Sequence, residues 1–259
     1  MASKQEAKTL KALKAAFSEH VPTGKKIADK AATEALKGHE KNPAWIKSHF
    51  SMLVEEVQVN AYTTYLEAEK KAGAAALAAV FLPLMGKNAT PEDLVRVLGE
   101  NFFALDRFFL GLTQGRRPRA GGAFELVIRR LFVALKYPFT AQAIINGQPD
   151  FILPSVEHFL ANPMDATIFT VKRTLRERWR QIVTEGTRGL GFFLATIDEN
   201  ISQRDLKEML ASRIHVVVPK RIMEANEDYQ NAANVMTFED FFKHHLDPAM
   251  KRWKSSGVI

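Results

Sequence analysis

The spacing of apolar residues changes partway along the chain. Up to about residue 110, apolar residues recur every three or four positions, as in residues 45–66 and 91–112, and this period predicts helices. Thr90 lies where a helix is expected to begin, because a proline and two acidic residues follow it. The alanine-rich apolar stretch at residues 72–86 is too short to span a bilayer and contains a proline, so we expect a buried helix there.

A basic segment rich in glycine and arginine, residues 114–122, separates this region from a different pattern and is predicted to be a linker. Beyond it, residues 121–136 have the period of a helix with one buried stripe. Short apolar runs typical of strands then follow at residues 140–145, 150–155, 166–172, 191–197 and 214–220. Further stretches with a helical pattern cover residues 176–188, 202–213 and 238–253.

Strands that alternate with helices predict an α/β domain whose central sheet is largely covered. The expected organisation is therefore an all-α N-terminal region over residues 1–112 and an α/β domain over residues 113–259. The chain has no cysteine, which excludes disulfides and thiolate metal sites. It also lacks the features of a secretory signal, and we expect a cytoplasmic protein without a membrane partner.

The distribution of charge indicates an anionic partner. Residues 101–190 carry 13 Lys and Arg against 7 Asp and Glu, whereas the other 169 residues carry 23 against 22. Most of the excess is arginine, which binds phosphates and base edges with two parallel hydrogen bonds. Arg116, Arg117 and Arg119 are candidate contacts to a DNA backbone. A solvated basic surface would account for the same excess.

Three ionisable residues lie at ends of the predicted strands or in the helix that follows. Asp150 precedes one strand, Lys172 ends the next, and Glu185 lies 13 residues further along. Two carboxylates and a lysine can hydrolyse a phosphodiester: the carboxylates hold Mg²⁺, and the lysine steadies or deprotonates the attacking water. Structural roles are the alternative, with Lys172 reaching solvent from a strand end and Asp150 capping a turn.

Arginines also crowd the start of the predicted helix at residues 176–188. Arg173, Arg176, Arg178 and Arg180 surround a single acid, Glu177, where the helix dipole disfavours cations. Arginine pairs with guanine in the major groove, and glutamate accepts from cytosine. The pattern favours reading of adjacent G·C pairs, with Arg173 as a further backbone contact. A solvated, charged helix end is the other interpretation.

Residues 139–155 and 170–185 together closely resemble the EcoRII C-terminal and CCGG-type restriction endonucleases. The resemblance implies a restriction-endonuclease-like mixed sheet flanked by helices, and Mg²⁺-dependent hydrolysis of DNA. It implies Asp150 and Glu185 as metal ligands, Lys172 as the catalytic lysine, and Glu125 as an acidic residue lining the site. Nucleases of the wider class have a carboxylate two residues before the lysine. This chain has Thr170 there, and Glu185 on the next helix would replace it, as in this branch.

The resemblance also implies how DNA is read. Arg176, Glu177 and Arg178 would read CC/GG within a palindrome, with a CCGG core expected and CC(A/T)GG as the close variant. Each subunit of a homodimer would read half the site and cut one strand. A cognate DNA methyltransferase is expected to protect the sites of a prokaryotic host. A DNA-binding module that no longer cuts and a nuclease of low specificity are the alternatives.

Overall fold

The computed structural model describes residues 3–86, 88–145, 148–175 and 191–259. Helices dominate the first half, as the apolar spacing predicts. They are α1 (Lys4–His20), α2 (Gly24–Ala35), α3 (Pro43–Ser48), α4 (Phe50–Met85), α5 (Pro91–Glu100) and α6 (Phe102–Ala134). Thr90 caps α5 as predicted, since its hydroxyl accepts from the backbone of Asp93, and Asp93 accepts in return from the backbone of Thr90.

The second half contains the sheet and shorter helices. The strands are β1 (Thr140–Ala141), β2 (Phe151–Leu153), β3 (Thr167–Val171), β4 (Gly191–Ala195), β5 (Ile214–Val218) and β6 (Val235–Thr237). The helices are α7 (Val156–Ala161), a 3-10 turn (Pro163–Asp165), α8 (Gln203–Ala211), α9 (Lys220–Ala225), α10 (Glu227–Gln230), α11 (Phe238–Phe241), a π-helical turn (Phe242–Leu246) and α12 (Asp247–Ser255).

The described strands form one mixed sheet in the order β1-β2-β3-β4-β5-β6. The pairs β1–β2 and β2–β3 are antiparallel, and the pairs from β3 to β6 are parallel. All five residues of β3 are buried, which agrees with its central place between β2 and β4. The α/β class predicted from the sequence is confirmed, with a sheet that is mixed rather than all parallel.

Successive side chains on the strands alternate between two cores. One is mainly aliphatic and includes Ile168, Leu194 and Val216. The other is aromatic: the ring of Phe132 on α6 lies 5.3 Å from that of Phe169 on β3. The covered sheet explains why its strands are near-continuous apolar runs in the sequence.

The chain divides into two compact units, and each unit is formed from two separate segments of the sequence. One comprises Met1–Ile27 and Val59–Gly122, and the other comprises Ala28–Gln58 and Ala123–Ile259. The core of the helical unit includes Leu13, Phe17 and Phe108. The boundary between two domains that the sequence places between residues 112 and 113 stays a prediction.

Residues 72–85 lie in α4, so the expected helix is confirmed, but it is buried on one face only: Ala72, Ala76 and Phe81 are buried, whereas Leu82 and Leu84 are exposed. Within the described ranges, none of the helices has the length and apolar character needed to cross a membrane.

Two sequence-based predictions about elements need correction. The linker expected at residues 114–122 is wrong, because the backbone of α6 continues through it to Ala134. The ion pair between Arg116 and Glu69 anchors the helix at this point and offsets its poor local helix propensity. Strand β6 was not predicted, since its three residues give no periodic pattern.

Candidate active site at the sheet edge

Asp150 and Lys172 meet at one end of two paired antiparallel strands, where β2 begins and β3 ends, which we call the sheet edge. The Asp150 side chain is largely buried, and its Oδ2 accepts from the backbone N–H of Val171 at 2.7 Å. Lys172 Nζ lies 3.3 Å from the same oxygen. The backbone N–H of Lys172 donates to the carbonyl of Ala195 at 2.9 Å, which extends the β3–β4 pairing by one residue. Strand pairing therefore fixes both residues at one edge.

The Lys172 side chain remains 40% exposed, so its ammonium is held by Asp150 at one side and is open to solvent at another. An exposed ion pair at this separation contributes little to stability. The contact between Asp150 and Lys172 therefore holds a positive charge beside a carboxylate and adds little to the stability of the fold. The structural alternatives raised by the sequence, a lysine that only reaches solvent and an aspartate that only caps a turn, do not account for their contact.

Glu125, on the C-terminal part of α6, completes an acidic group with Asp150. Its Oε1 accepts from Nε2 of Gln142 at 3.0 Å. Burial raises the pKa of the Glu125 carboxyl above its ordinary value, and the negative charge of Asp150 raises it further. The hydrogen bond from Gln142 and the charge of Lys172 act in the opposite direction. Glu125 therefore lies within the electrostatic reach of both residues at the sheet edge.

Gln142 is a contributor to this edge that sequence reasoning missed. It follows β1 with a positive φ of 52°, and its backbone N–H donates to the carbonyl of Asp150 at 3.0 Å. Its side chain donates to Glu125, so one residue contacts both acids. Glutamine has no preference for the left-handed region, and hence the sequence carried no signal for this turn.

The residues at the edge fit Mg²⁺ by their chemistry. Both hydrogen bonds described for the Asp150 side chain end on Oδ2, and Mg²⁺ prefers carboxylate oxygens. The raised pKa of Glu125 reflects its burial and the repulsion of Asp150, which the charges of Lys172 and Arg129 offset only in part and which a bound cation would relieve. The described residues contain no group of three or more metal-ligating side chains. The predicted ligand Glu185 lies outside the described residues.

Thr170, the departure from the wider nuclease motif, is fully buried in β3. Its hydroxyl has no hydrogen-bond partner within the described part of the chain. The position that carries a carboxylate in the wider class thus carries a buried neutral group here. Among the described residues, Asp150 and Glu125 are the acids near Lys172.

The predicted DNA contacts have different outcomes. Arg116 pairs with the buried Glu69 through Nε at 2.8 Å, which gives it a structural partner in the helical unit. Arg173 is exposed directly after Lys172. For Arg117 and Arg119 only the helical backbone is described. The reading triplet Arg176, Glu177 and Arg178 lies outside the described residues, as does Arg180.

The backbone that leads to the triplet is held by residues after β4 that sequence reasoning also missed. The N–H of Leu175 donates to Oδ2 of Asp198 at 2.8 Å. The hydroxyl of Thr196 donates to the carbonyl of Arg173 at 3.3 Å. Asp198 and Thr196 both lie in residues 191–201, which form β4 and the turn after it. The polar residues of this segment form no distinctive sequence motif.

Known proteins resemble the chain over the region that contains this edge. A family model described as EcoRII C terminal matches residues 85–242, more than half of the chain. The type II restriction enzyme SsoII of Shigella sonnei is 28% identical over 178 residues, which are 64% of this chain and 58% of the relative. The type II restriction enzyme EcoRII of Escherichia coli is 32% identical over 161 residues, 58% of this chain and 38% of the relative. The chain thus spans less than two thirds of the length of either relative.

Solved structures have a similar fold. Metal-depleted Ecl18kI in complex with uncleaved, modified DNA superposes with a TM-score of 0.81 and 23% identity, over 95% of this chain and 85% of that one. The restriction endonuclease PspGI in complex with substrate DNA gives a TM-score of 0.66 and 21% identity, over 91% and 96% of the two chains. The mixed sheet flanked by helices is therefore the restriction-endonuclease fold, as the sequence resemblance implied. With more than half of its residues matched by the family model, the chain belongs to the EcoRII C-terminal family.

Proposed function

We propose that the protein is a Mg²⁺-dependent type II restriction endonuclease that cuts both strands of DNA at a short palindrome. The observation that carries this proposal is the contact of Asp150 with Lys172 at the sheet edge, beside Glu125, in a chain of the EcoRII C-terminal family. The curated relatives are named as type II restriction enzymes, and two similar folds are described in complex with DNA.

The residues at the edge divide the chemistry between them. Asp150 and Glu185 are the proposed metal ligands, with Glu125 as an acid that lines the site. Bound Mg²⁺ would polarise the phosphate and lower the pKa of a water molecule. As an ammonium, Lys172 would hold that water through Nζ and its charge would offset the negative charge that develops on the phosphate. Alternatively, as a neutral amine, it would accept the proton of the water and become positively charged in that step. Asp150 holds the Lys172 ammonium toward the strand ends.

Recognition is proposed for Arg176, Glu177 and Arg178, with a CCGG core favoured and CC(A/T)GG as the close variant. Arg173, exposed next to Lys172, is suited to contact the phosphate backbone, as are Arg117 and Arg119. Arg116 is the weakest of the proposed backbone contacts, because Glu69 already holds its guanidinium. A homodimer would cut both strands of a palindrome, and a cognate methyltransferase would protect the host sites.

Digestion of plasmids tests the proposal. Unmethylated plasmids that carry one CCGG site, one CC(A/T)GG site or neither would be incubated with the protein in Mg²⁺ or in EDTA. We expect discrete fragments in Mg²⁺ alone, loss of cutting in Lys172→Ala, and normal cutting in Lys207→Ala, which removes an exposed lysine of α8. Sequencing of the ends then gives the site and the cut position.

The other outcomes separate the alternatives. A smear of fragments that depends on Lys172 would keep the catalytic residues and remove the reading role of the triplet. Retention of specific DNA without any cutting in Mg²⁺ would favour a binding module. Cutting that persists in Lys172→Ala would contradict the assigned chemistry.

A further inference from the structure

The four residues from Lys172 to Leu175 connect the sheet edge to the arginine-rich triplet, and they are held at both ends. At the first end, the N–H of Lys172 pairs with the carbonyl of Ala195 at 2.9 Å. At the second end, the N–H of Leu175 donates to Asp198 at 2.8 Å, and the Leu175 side chain is buried in the aliphatic core. Arg176 follows Leu175 directly in the sequence, so this backbone is the point from which the triplet starts.

Asp198 is itself held in place through its backbone and its second oxygen. Its N–H donates to the hydroxyl of Thr196 at 3.0 Å, and its Oδ1 accepts from the N–H of Asn200 at 3.1 Å. Its carbonyl accepts from the hydroxyl of Tyr229 at 2.7 Å, and that hydroxyl accepts in turn from the N–H of Ile201. The carboxylate thus approaches Leu175 from a turn with little freedom to shift.

Thr196 adds a second connection to the same four residues. It is fully buried, and its N–H donates to the carbonyl of Val217 on β5 at 2.9 Å. Its hydroxyl donates to the carbonyl of Arg173 at 3.3 Å while accepting from Asp198. The turn after β4 therefore contacts the connection through a hydroxyl at Arg173 and a carboxylate at Leu175.

We propose that Asp198 is a positioning residue for base recognition: its carboxylate fixes the backbone at Leu175 and so sets where the triplet begins relative to Lys172. This inference rests on the proposed function. A hydrogen bond to a carboxylate is stronger than one between neutral groups, which suits a contact that must hold a short connection in one geometry. Asp198 does not touch DNA in this proposal and acts through Leu175.

Loss of the hydrogen bond from the Leu175 N–H to Asp198 should reduce discrimination between base sequences more than it reduces the overall affinity for DNA. Hydrogen bonds to base edges depend on the exact placement of side chains, whereas attraction to phosphates is a long-range effect of charge. In Asp198→Ala the buried Leu175 side chain still anchors the segment, but its N–H loses its acceptor. We expect discrimination between the cognate site and a site with one changed base pair to fall about tenfold or more, with little change in binding to unrelated DNA.

Binding titrations in EDTA, repeated with Ca²⁺, test this without cutting. The affinities of the full chain for a cognate duplex, a duplex with one changed base pair and an unrelated duplex would be measured by fluorescence anisotropy. The variants are Asp198→Ala and Asp198→Asn, which keeps a side-chain oxygen as acceptor and should retain most of the discrimination. Should Asp198→Ala fail to fold, Asp198→Glu carries the same expectation, because it displaces the carboxylate by one methylene.

A control variant distinguishes positioning from a general loss of stability. Asp205→Ala removes a carboxylate in the first turn of α8 that accepts from the hydroxyl of Ser202, the residue that caps this helix. It should keep the discrimination ratio even where urea unfolding shows lower stability. Loss of discrimination in Asp205→Ala equal to that in Asp198→Ala would overturn the proposal, as would full discrimination in Asp198→Ala. Plasmid digestion by the wild type tests the proposed function separately, and discrete cutting would leave that function intact in either case.

Discussion

Two groups of acidic residues in this protein have opposite surroundings. In the helical unit, Glu69 is buried and accepts from the hydroxyl of Tyr65 at 2.6 Å and from Nε of Arg116 at 2.8 Å. At the sheet edge, burial and the charge of Asp150 raise the pKa of Glu125 above its ordinary value. The positive charges of the partly exposed Lys172 and of Arg129 offset this only in part. Glu69 thus has its cation within the fold, whereas the positive charges in the described part of the sheet edge do not fully offset the burial and repulsion that raise the pKa of Glu125.

The different surroundings of Glu69 and of the acids at the sheet edge indicate that carboxylates serve a structural role at one place and a functional role at the other. A buried carboxylate paired with an arginine is a structural contact, because removing the arginine leaves the carboxylate buried and unpaired. Two carboxylates that repel each other cost stability unless a cation joins them. The sheet edge is therefore the place where an added Mg²⁺ would be favoured, and the Glu69 site is not.

The largest effect is expected for Asp150→Asn. The amide keeps an oxygen that can accept from Val171, so the fold should persist, but a charged oxygen donor at the edge is lost. Cutting should fall at least about a hundredfold, the scale of a lost catalytic group. Rates on a single-site duplex and the urea midpoint would be measured together. A rate near that of the wild type would contradict the role of Asp150.

Glu69→Gln should act on stability alone. The amide cannot compensate the charge of Arg116, so the free energy of unfolding should fall by about 2 kcal/mol, a value for hydrogen bonds to charged groups. The exposure of Arg116 keeps the effect below that of a fully buried pair. Denaturation by urea measures it, and the cutting rate per folded molecule should match the wild type. Slower cutting at unchanged stability would place Glu69 in the functional site instead.

Gln142→Ala should have a smaller effect on the use of Mg²⁺. The substitution removes the donor that orients Glu125, so the Mg²⁺ concentration for half-maximal cutting should rise about tenfold, the value of one hydrogen bond of about 1.4 kcal/mol. Gln142→Gly, which suits the positive φ, should behave in the same way. Gln203→Ala, on the exposed surface of α8, should leave the Mg²⁺ requirement unchanged. Equal shifts in all three would mean that orientation of Glu125 is not involved.

The smallest effect concerns ionisable groups that the fold keeps neutral. Burial lowers the pKa of His215 and of His245, so the unfolded chain binds protons more readily than the folded one below about pH 6.5. Their contribution to stability is present above that pH and is lost as the pH falls toward their lower folded-state pKa values. The urea midpoint should drop between about pH 7.5 and about pH 5.5. His215→Leu should reduce that drop, and an unchanged drop would assign it to other groups.

Much of the fold could be predicted because the sheet is covered. The apolar runs that become β2 to β5 and the helical periods of α5 and α8 all stand out in the sequence, as does the cap at Thr90. The linker prediction failed at residues 114–122 because glycine and proline report local preference only. A distant residue, Glu69, holds Arg116 within the helix, and such a contact leaves no mark in the local pattern.

The candidate site was predictable in part for a similar reason. Asp150 and Lys172 stand out as charges at the ends of apolar strands, and the described structure brings them into contact. Gln142 and Asp198 each contribute one local contact from a turn. Neither a glutamine with a positive φ nor an aspartate after a strand is distinctive in the sequence. Glu185 and the reading triplet remain predictions from the resemblance.

We expect the sheet edge, unlike the Glu69 site, to need a divalent cation. Calorimetric titration of Ca²⁺ into the protein bound to its cognate duplex measures this directly, because Ca²⁺ binds the same kind of oxygen ligands as Mg²⁺. The wild type and Glu69→Gln should take up the ion with equal affinity, and Asp150→Asn should bind it at least about tenfold more weakly, a difference of about 1.4 kcal/mol. No uptake by the wild type, or equal uptake by Asp150→Asn, would contradict the claim.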